Sequence, residues 1–186
     1  MNQTVSIVIA VFVIISVLAF FIKLYNQLVM LKFNVEKAYA NIDVILKQRA
    51  DEIPDLVQVA KKFMDYEKDI LSRLTELRTF YTNTEDPERK TELANETSKA
   101  LQSFFAVSEN YPELISNRNF IELQKRVSGL EDKIADRREF FNDSVNLYNI
   151  GIHEFPNMIL AGLLGYRDRT LLQVSDQEKH YEGVQF

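Results

Sequence analysis

The sequence predicts an all-α fold: one N-terminal transmembrane helix continuing into an antiparallel up-down four-helix bundle, with a short apolar helical segment near the C-terminus. Three observations predict it. Residues 5–22 form an uncharged apolar run interrupted only by Ser6 and Ser16. Beyond that run, apolar residues recur at alternating spacings of three and four, the signature of one helix face. Only five Gly and four Pro occur in 186 residues, too few turn-formers for a many-stranded sheet. The expected organisation is residues 1–22 as N-terminal segment and span, 23–155 as bundle, and 156–186 as apolar segment and tail.

The span comes first. Eighteen residues at 1.5 Å rise cover about 27 Å, close to the ~30 Å hydrocarbon core. The predicted transmembrane helix therefore runs from Val5 to Ile22. Lys23 is placed to snorkel and Tyr25 to sit at headgroup level. A cleaved signal peptide is disfavoured: Met1-Asn2-Gln3-Thr4 has no basic side chain, and Phe20-Phe21-Ile22-Lys23-Leu24 has no small-residue cleavage site. Lys23, Lys32 and Lys37 flank only the C-terminal end of the run. By the positive-inside rule the bundle is expected to be cytoplasmic and the N-terminus outside. Sequons at Asn2, Asn95 and Asn142 matter only if that topology is reversed.

The first helix continues without Gly or Pro. Leu24, Leu28, Leu31, Val35, Ala38, Ile42 and Ile45 follow a 3.5-residue repeat, a coiled-coil seam. One helix is predicted over 5–47, about 65 Å long. Pro54 would clash with the carbonyl of Ala50, so the helix is expected to break there, with Asp51 capping the next. Asp51, Glu52 and Asp55 then cluster at a helix N-terminus, where the dipole favours them. The second helix carries Leu56, Val59, Phe63, Tyr66, Ile70, Leu74, Leu77 and Tyr81. After a polar turn at 82–86, Asp86-Pro87-Glu88 opens the third helix with a cap, a first-position proline and an acid. Its stripe is Leu93, Thr97, Ala100, Phe104 and Val107, and Asn110-Tyr111-Pro112 ends it. Asn119 with Glu122 reads as a capping box for the fourth helix. That helix shows Phe120, Leu123, Val127, Leu130, Ile134, Phe141, Val145, Tyr148 and Ile152. Gly129 lies inside it, either admitting a close neighbour or sitting on the surface. Short loops make the four helices antiparallel neighbours.

These residues resemble a known family. The block Ile42-Asp43-Val44-Ile45-Leu46-Lys47-Gln48-Arg49-Ala50-Asp51-Glu52-Ile53-Pro54-Asp55-Leu56-Val57 is similar to the signature of LemA family proteins. So are Glu109-Asn110-Tyr111-Pro112-Glu113-Leu114, Arg137-Arg138 with Phe141-Asn142, Tyr148-Asn149, Phe155-Pro156 and Val184-Gln185-Phe186. Phe141 stands where the family usually has tyrosine. The resemblance implies a bacterial or archaeal membrane protein with an outside N-terminus and a helical-bundle domain. A magnetosome-associated branch of that family is linked to membrane-vesicle formation, so the resemblance points towards membrane organisation.

Chemistry is sparse. There is no Cys, which excludes disulfides, thiolate metal sites and cysteine nucleophiles. No phosphate loop, dinucleotide fingerprint or H-E-x-x-H motif occurs. A di-iron bundle needs Glu-x-x-His, but Ile150 and Gln177 precede His153 and His180 at that spacing. His153 is expected to face solvent or the helix C-terminal dipole. Asp65, Glu67 and Asp69 around Tyr66 read as a solvated face. The expectation is no catalytic, cofactor-binding or metal residues, and no enzyme.

Two features remain. Arg137 falls on the fourth-helix seam, a possible buried charge, either paired with Asp43 or Glu109 or snorkelling to the bundle edge. The apolar stretch at 156–166, with Met158, Ile159, Leu160, Leu163 and Leu164, is too short to span. It either lies in the membrane interface beside Phe80 and Tyr81 or folds back to close the bundle. Net charge is −5, with a +3 collar over 23–49, which argues against nucleic acid and suits an anionic leaflet. The partners expected are the lipid bilayer and a homo-oligomer or membrane protein, with no small-molecule substrate identified. The function expected is a membrane-anchored scaffold or interaction protein involved in membrane organisation. The alternative is a membrane-tethered sensory or ligand-binding module.

Overall fold

The computed structural model of the chain describes residues 3–172. Within them lie α1 (Gln3–Ala60), α2 (Lys68–Asn83), α3 (Pro87–Ser108), the single turn α4 (Pro112–Ile115), α5 (Arg118–His153) and α6 (Asn157–Leu163). No strand occurs among the described residues. His180 and the closing Val184-Gln185-Phe186 lie outside them.

The helix expected to stop before Pro54 runs through it to Ala60. Proline in a helix interior costs about 3 kcal/mol, through a lost hydrogen bond and a ring clash. Around it Ala50, Ile53, Leu56, Val57 and Ala60 form a buried face, while Pro54 itself points outward. Each large apolar side chain buried contributes about 1.5–3 kcal/mol, so three of them outweigh the proline. Packing decides the helix end, not Pro54. The chain turns instead at 61–67, where the Phe63 amide donates to the Ala60 carbonyl at 2.9 Å and the Lys62 amide to Val59 at 3.3 Å. Asp51 therefore caps nothing, and Asp51, Glu52 and Asp55 lie mid-helix rather than at an N-terminus. Tyr66 leaves the stripe altogether at 93% exposure, and Met64 takes the buried place.

The seam along α1 also drifts. Leu24, Leu28, Val35, Ala38 and Ile42 are buried, Leu31 partly so, but the next buried residue is Leu46 and not Ile45. A straight α-helix drifts by about 20° per heptad from a strict 3.5-residue repeat.

The described chain forms two compact units, Met1–Tyr39 with Phe140–Leu171, and Ala40–Glu139. This division crosses α1 and α5. The second unit is built on one core: Ile53, Leu56 and Val57 of α1, Leu71 and Leu74 of α2, Leu101 and Phe104 of α3, Leu114 of α4, and Phe120, Leu123 and Val127 of α5. Phe104 meets Phe105 and Phe120 edge-on at 5.4 and 6.1 Å between ring centres. The Asp86 carboxylate accepts from the amides of Glu88 and Arg89, with Pro87 at the first position, as the sequence predicts. On α3, Leu101 and Ser108 take the buried positions expected for Ala100 and Val107, which are half-buried. The cap of α5 is Asn117 and not Asn119: its Oδ1 accepts from the amides of Asn119 and Phe120 at 3.0 and 3.2 Å. The single turn at Pro112 moves the helix start forward, so the capping side chain comes two residues earlier.

In the first unit, α1 and α5 pair antiparallel. Tyr39 meets Phe141 at 6.0 Å between ring centres, and Leu31 meets Gly151. A methyl at Gly151 would collide with the Leu31 side chain, whereas one at Gly129 would meet nothing within 4 Å. The close approach that Gly129 suggested belongs to Gly151. All nine apolar positions expected on α5 are buried.

Candidate functional site

The 18-residue apolar window of α1 has a mean hydropathy of 3.2, and none of it is buried against the rest of the chain. α1 is the one helix among the described residues long and apolar enough to cross a membrane. Burial begins at Leu24, two residues after the apolar run ends. A core helix would be covered by its neighbours; this one is bare until its first charge at Lys23. Inside the run the Ser16 hydroxyl donates to the Phe12 carbonyl at 2.9 Å, so its polar group is satisfied within the helix. Lys23 and Tyr25, just past the run, are exposed.

The chain after α5 folds back onto the α1–α5 pair beside Glu36, Tyr148 and Asn149. Tyr148 donates to the Arg167 carbonyl at 3.1 Å, and Asn149 exchanges two hydrogen bonds with the Arg169 backbone at 2.9 Å. The Arg169 guanidinium lies over the Tyr148 ring at 5.5 Å and pairs with Glu36 at 3.3 Å. Burial pushes the Tyr166 phenol above its usual range, and neighbouring Tyr25, Tyr148 and Glu36 push it the same way. α6 is held by Asn157 and Ala161, which are buried, while Met158, Ile159, Leu163 and Leu164 are exposed and Leu160 is half-buried.

The buried charges are not where the seam count put them. Arg137 is exposed, and so is Glu109. On α5 the neighbouring Arg138 turns inward and donates to the Asn95 Oδ1 at 2.8 Å. From Ile134 a step of three or of four both return to the face; packing selects four. Among the described residues the most buried charge is Arg49, at 2% exposure, which its sequence position alone does not single out. Its guanidinium donates to Glu131 and Ser98 at 2.7 Å and to the Ala94 carbonyl at 2.9 Å. The signal available was its place after Ile42 and Leu46 on the α1 stripe. Asp43 pairs with Lys90, both oxygens at 3.0 Å, and accepts from Tyr81 at 2.7 Å. Burial alone would raise the Asp43 carboxyl, but Tyr81 and Lys90, helped by Lys47, together hold it below the ordinary value.

The remaining polar candidates are accounted for locally. His153 lies 2.9 Å from Asp168, both exposed. Asp65 and Asp69 are exposed; Glu67 accepts from the Tyr111 hydroxyl at 3.3 Å, and burial with this carboxylate raises the Tyr111 phenol. Glu52 pairs with Arg126 at 2.8 Å. Among the described residues no three His, Asp or Glu side chains are grouped to hold a metal.

A bare apolar N-terminal helix that carries on into a helical body with a buried, ion-paired arginine defines a class of helical protein with one candidate membrane span among the described residues. Within that class the chain belongs to the LemA family, whose profile matches residues 38–186. Similar proteins include magnetosome proteins MamQ 2 and MamQ 1 of Paramagnetospirillum magneticum, each 34% identical over 74 residues. Those alignments cover 40% of this chain and 27% of each relative. MamQ of Magnetospirillum gryphiswaldense is 34% identical over 68 residues, 37% of this chain and 25% of that protein. The matched stretch is thus about a quarter of the length of these relatives. Asp43 and Arg49 both fall in the block that carries the family resemblance.

Proposed function

We propose that the chain is a non-catalytic scaffold or interaction protein, rooted in the cell membrane by residues 5–22 and self-associating or recruiting membrane proteins there. The observation that carries this reading is α1, whose bare apolar stretch runs without a break into buried body residues. No linker separates the two, so whatever the body binds is held close to lipid. Family membership and relatives named as magnetosome proteins agree with a membrane setting and a part in membrane organisation. In this reading the helices of the body are antiparallel neighbours, and the Lys23, Lys32 and Lys37 bias puts the body on the cytoplasmic side of a prokaryotic membrane.

The test is crosslinking in membranes, followed by mass measurement of the detergent-solubilised full chain. A stable multimer is expected. A monomer at every protein concentration, with no crosslinked species, overturns the scaffold.

A second reading, a ligand-binding or sensory module, has one observation behind it. A groove of about 670 Å³ opens between the 61–68 turn and α2, with Leu71 and Met64 in its wall and Lys61, Lys68, Ser72 and Thr75 at its polar edge. A ligand that shifted the unfolding midpoint of a monomeric chain would favour it.

A further inference from the structure

We infer that α6 is a second membrane contact: a short helix lying in the headgroup layer beside the point where α1 leaves the bilayer. The inference rests on reading residues 5–22 as an anchor.

The first argument is that α6 is inside out. Its only polar side chain, Asn157, is 3% exposed, and the Asn157 Oδ1 has no hydrogen-bond partner among the described residues. Three of its four large apolar side chains face away from the fold, with Leu163 80% exposed and Met158 and Ile159 more than half exposed, while Leu160 is half-buried. Phe155, just before it, is also bare. At 100° per residue, Met158, Ile159, Gly162 and Leu163 occupy one continuous outward face. A surface helix in water carries the opposite pattern, apolar in and polar out. A helix with its apolar face in acyl chains carries this one.

The second argument is height. Tyr39 meets Phe141 and Leu31 meets Gly151, so α5 descends along α1 towards the span. Continued by two residues, that register sets His153 level with about Val29. The end of the apolar run at Ile22 then lies roughly 10 Å below. α6 follows directly, after the short connection Glu154-Phe155-Pro156. Tyr166, which follows α6, packs on Tyr148 of α5 at 6.2 Å between ring centres, so the segment stays beside the α1–α5 pair. An interfacial helix buries its apolar face about 5–10 Å into the headgroup and acyl boundary, and the end of α5 brings α6 within reach of that layer. The exposed charges flanking the segment are of both signs, Glu154 before it and Arg167 and Asp168 after it, so the case for lipid rests on its apolar face.

The occupant of this face is therefore lipid, and the test uses the absence of Trp from the chain. The full-length Leu163→Trp variant is reconstituted in vesicles of equal parts phosphatidylcholine and phosphatidylglycerol, some carrying a quencher near the headgroup and others near the acyl end. The expected result is a blue-shifted emission, strongly quenched by the shallow label, weakly by the deep one and little by aqueous iodide. Emission open to iodide and blind to lipid labels overturns the inference, because α6 then stands in water. Emission shielded from both also overturns it, because protein then covers the face. A Phe12→Trp variant is run alongside. Quenching of Phe12→Trp by the deep label with no lipid quenching at position 163 removes the foot and keeps the anchor. No lipid quenching at position 12 removes the anchor reading, and the foot with it.

Discussion

Arg49 is the most buried charged residue among those described. Its guanidinium is enclosed, and Glu131, Ser98 and the Ala94 carbonyl all point at it. Removing one partner of a buried pair leaves the other uncompensated, at a cost of about 3–5 kcal/mol. Glu131 is one-third exposed, so the lower end applies. Arg49→Ala is expected to lower unfolding stability by about 3 kcal/mol. The double variant Arg49→Met with Glu131→Leu should recover most of that loss, because the apolar pair leaves no stranded charge. Denaturant unfolding of the detergent-solubilised chain, followed by circular dichroism, checks both. Asp43 makes a different prediction. Its folded carboxyl lies below the ordinary value, so its stabilising effect is fully present above the unfolded value of about 3.9 and is lost as pH falls through the folded value. Asp43→Asn should therefore flatten the acid limb of melting temperature against pH while leaving the neutral-to-alkaline limb parallel to wild type. An unchanged acid limb would show that the Tyr81 and Lys90 contacts contribute nothing there. Neither role was legible in the sequence. A charge on a stripe is visible, but whether it turns in or snorkels depends on which side chains wait opposite. Arg137 and Arg138 are adjacent and chemically identical, and only packing separates them.

At the scale of the helix, Pro54 is the instructive case. Local chemistry says stop, and α1 continues because the residues on either side bury a continuous face. The proline lies on the outward side, where its missing amide and ring clash are paid for by the opposite face. Pro54→Ala restores the amide without touching the core. It is expected to raise stability by about 1–3 kcal/mol, read as an upward shift in the denaturant midpoint with unchanged slope. A loss of stability would mean that the ring is shaping the turn at 61–67. Where local and tertiary preferences agree, the sequence reading succeeds. Asp86-Pro87-Glu88 opens α3 as read, and every apolar position read for α5 is buried. Where they differ by one residue, as between Asn117 and Asn119 or between Ile45 and Leu46, the three-four ambiguity of helical spacing hides the answer.

For the whole molecule the decisive quantity is the free energy of the apolar run. It contains fourteen Val, Ile, Leu and Phe residues. At about −0.3 to −0.6 kcal/mol each near the bilayer centre, they favour insertion by roughly 6 kcal/mol, and a lysine there costs about 3. Val13→Lys together with Ile14→Lys is therefore expected to cancel insertion. The wild-type chain should stay in the pellet after alkaline extraction of membranes, and the double variant should move to the supernatant. Retention of both in the pellet would assign the attachment to another part of the chain. The sequence by itself determined that this is an all-helical chain with one membrane-length apolar helix, because hydrocarbon thickness and helical period are read one residue at a time. Only the tertiary structure decided which charges are buried, where α1 ends and which way α6 faces. Each of those depends on what a side chain meets from a distant part of the chain, and spacing along one helix carries no record of its neighbour.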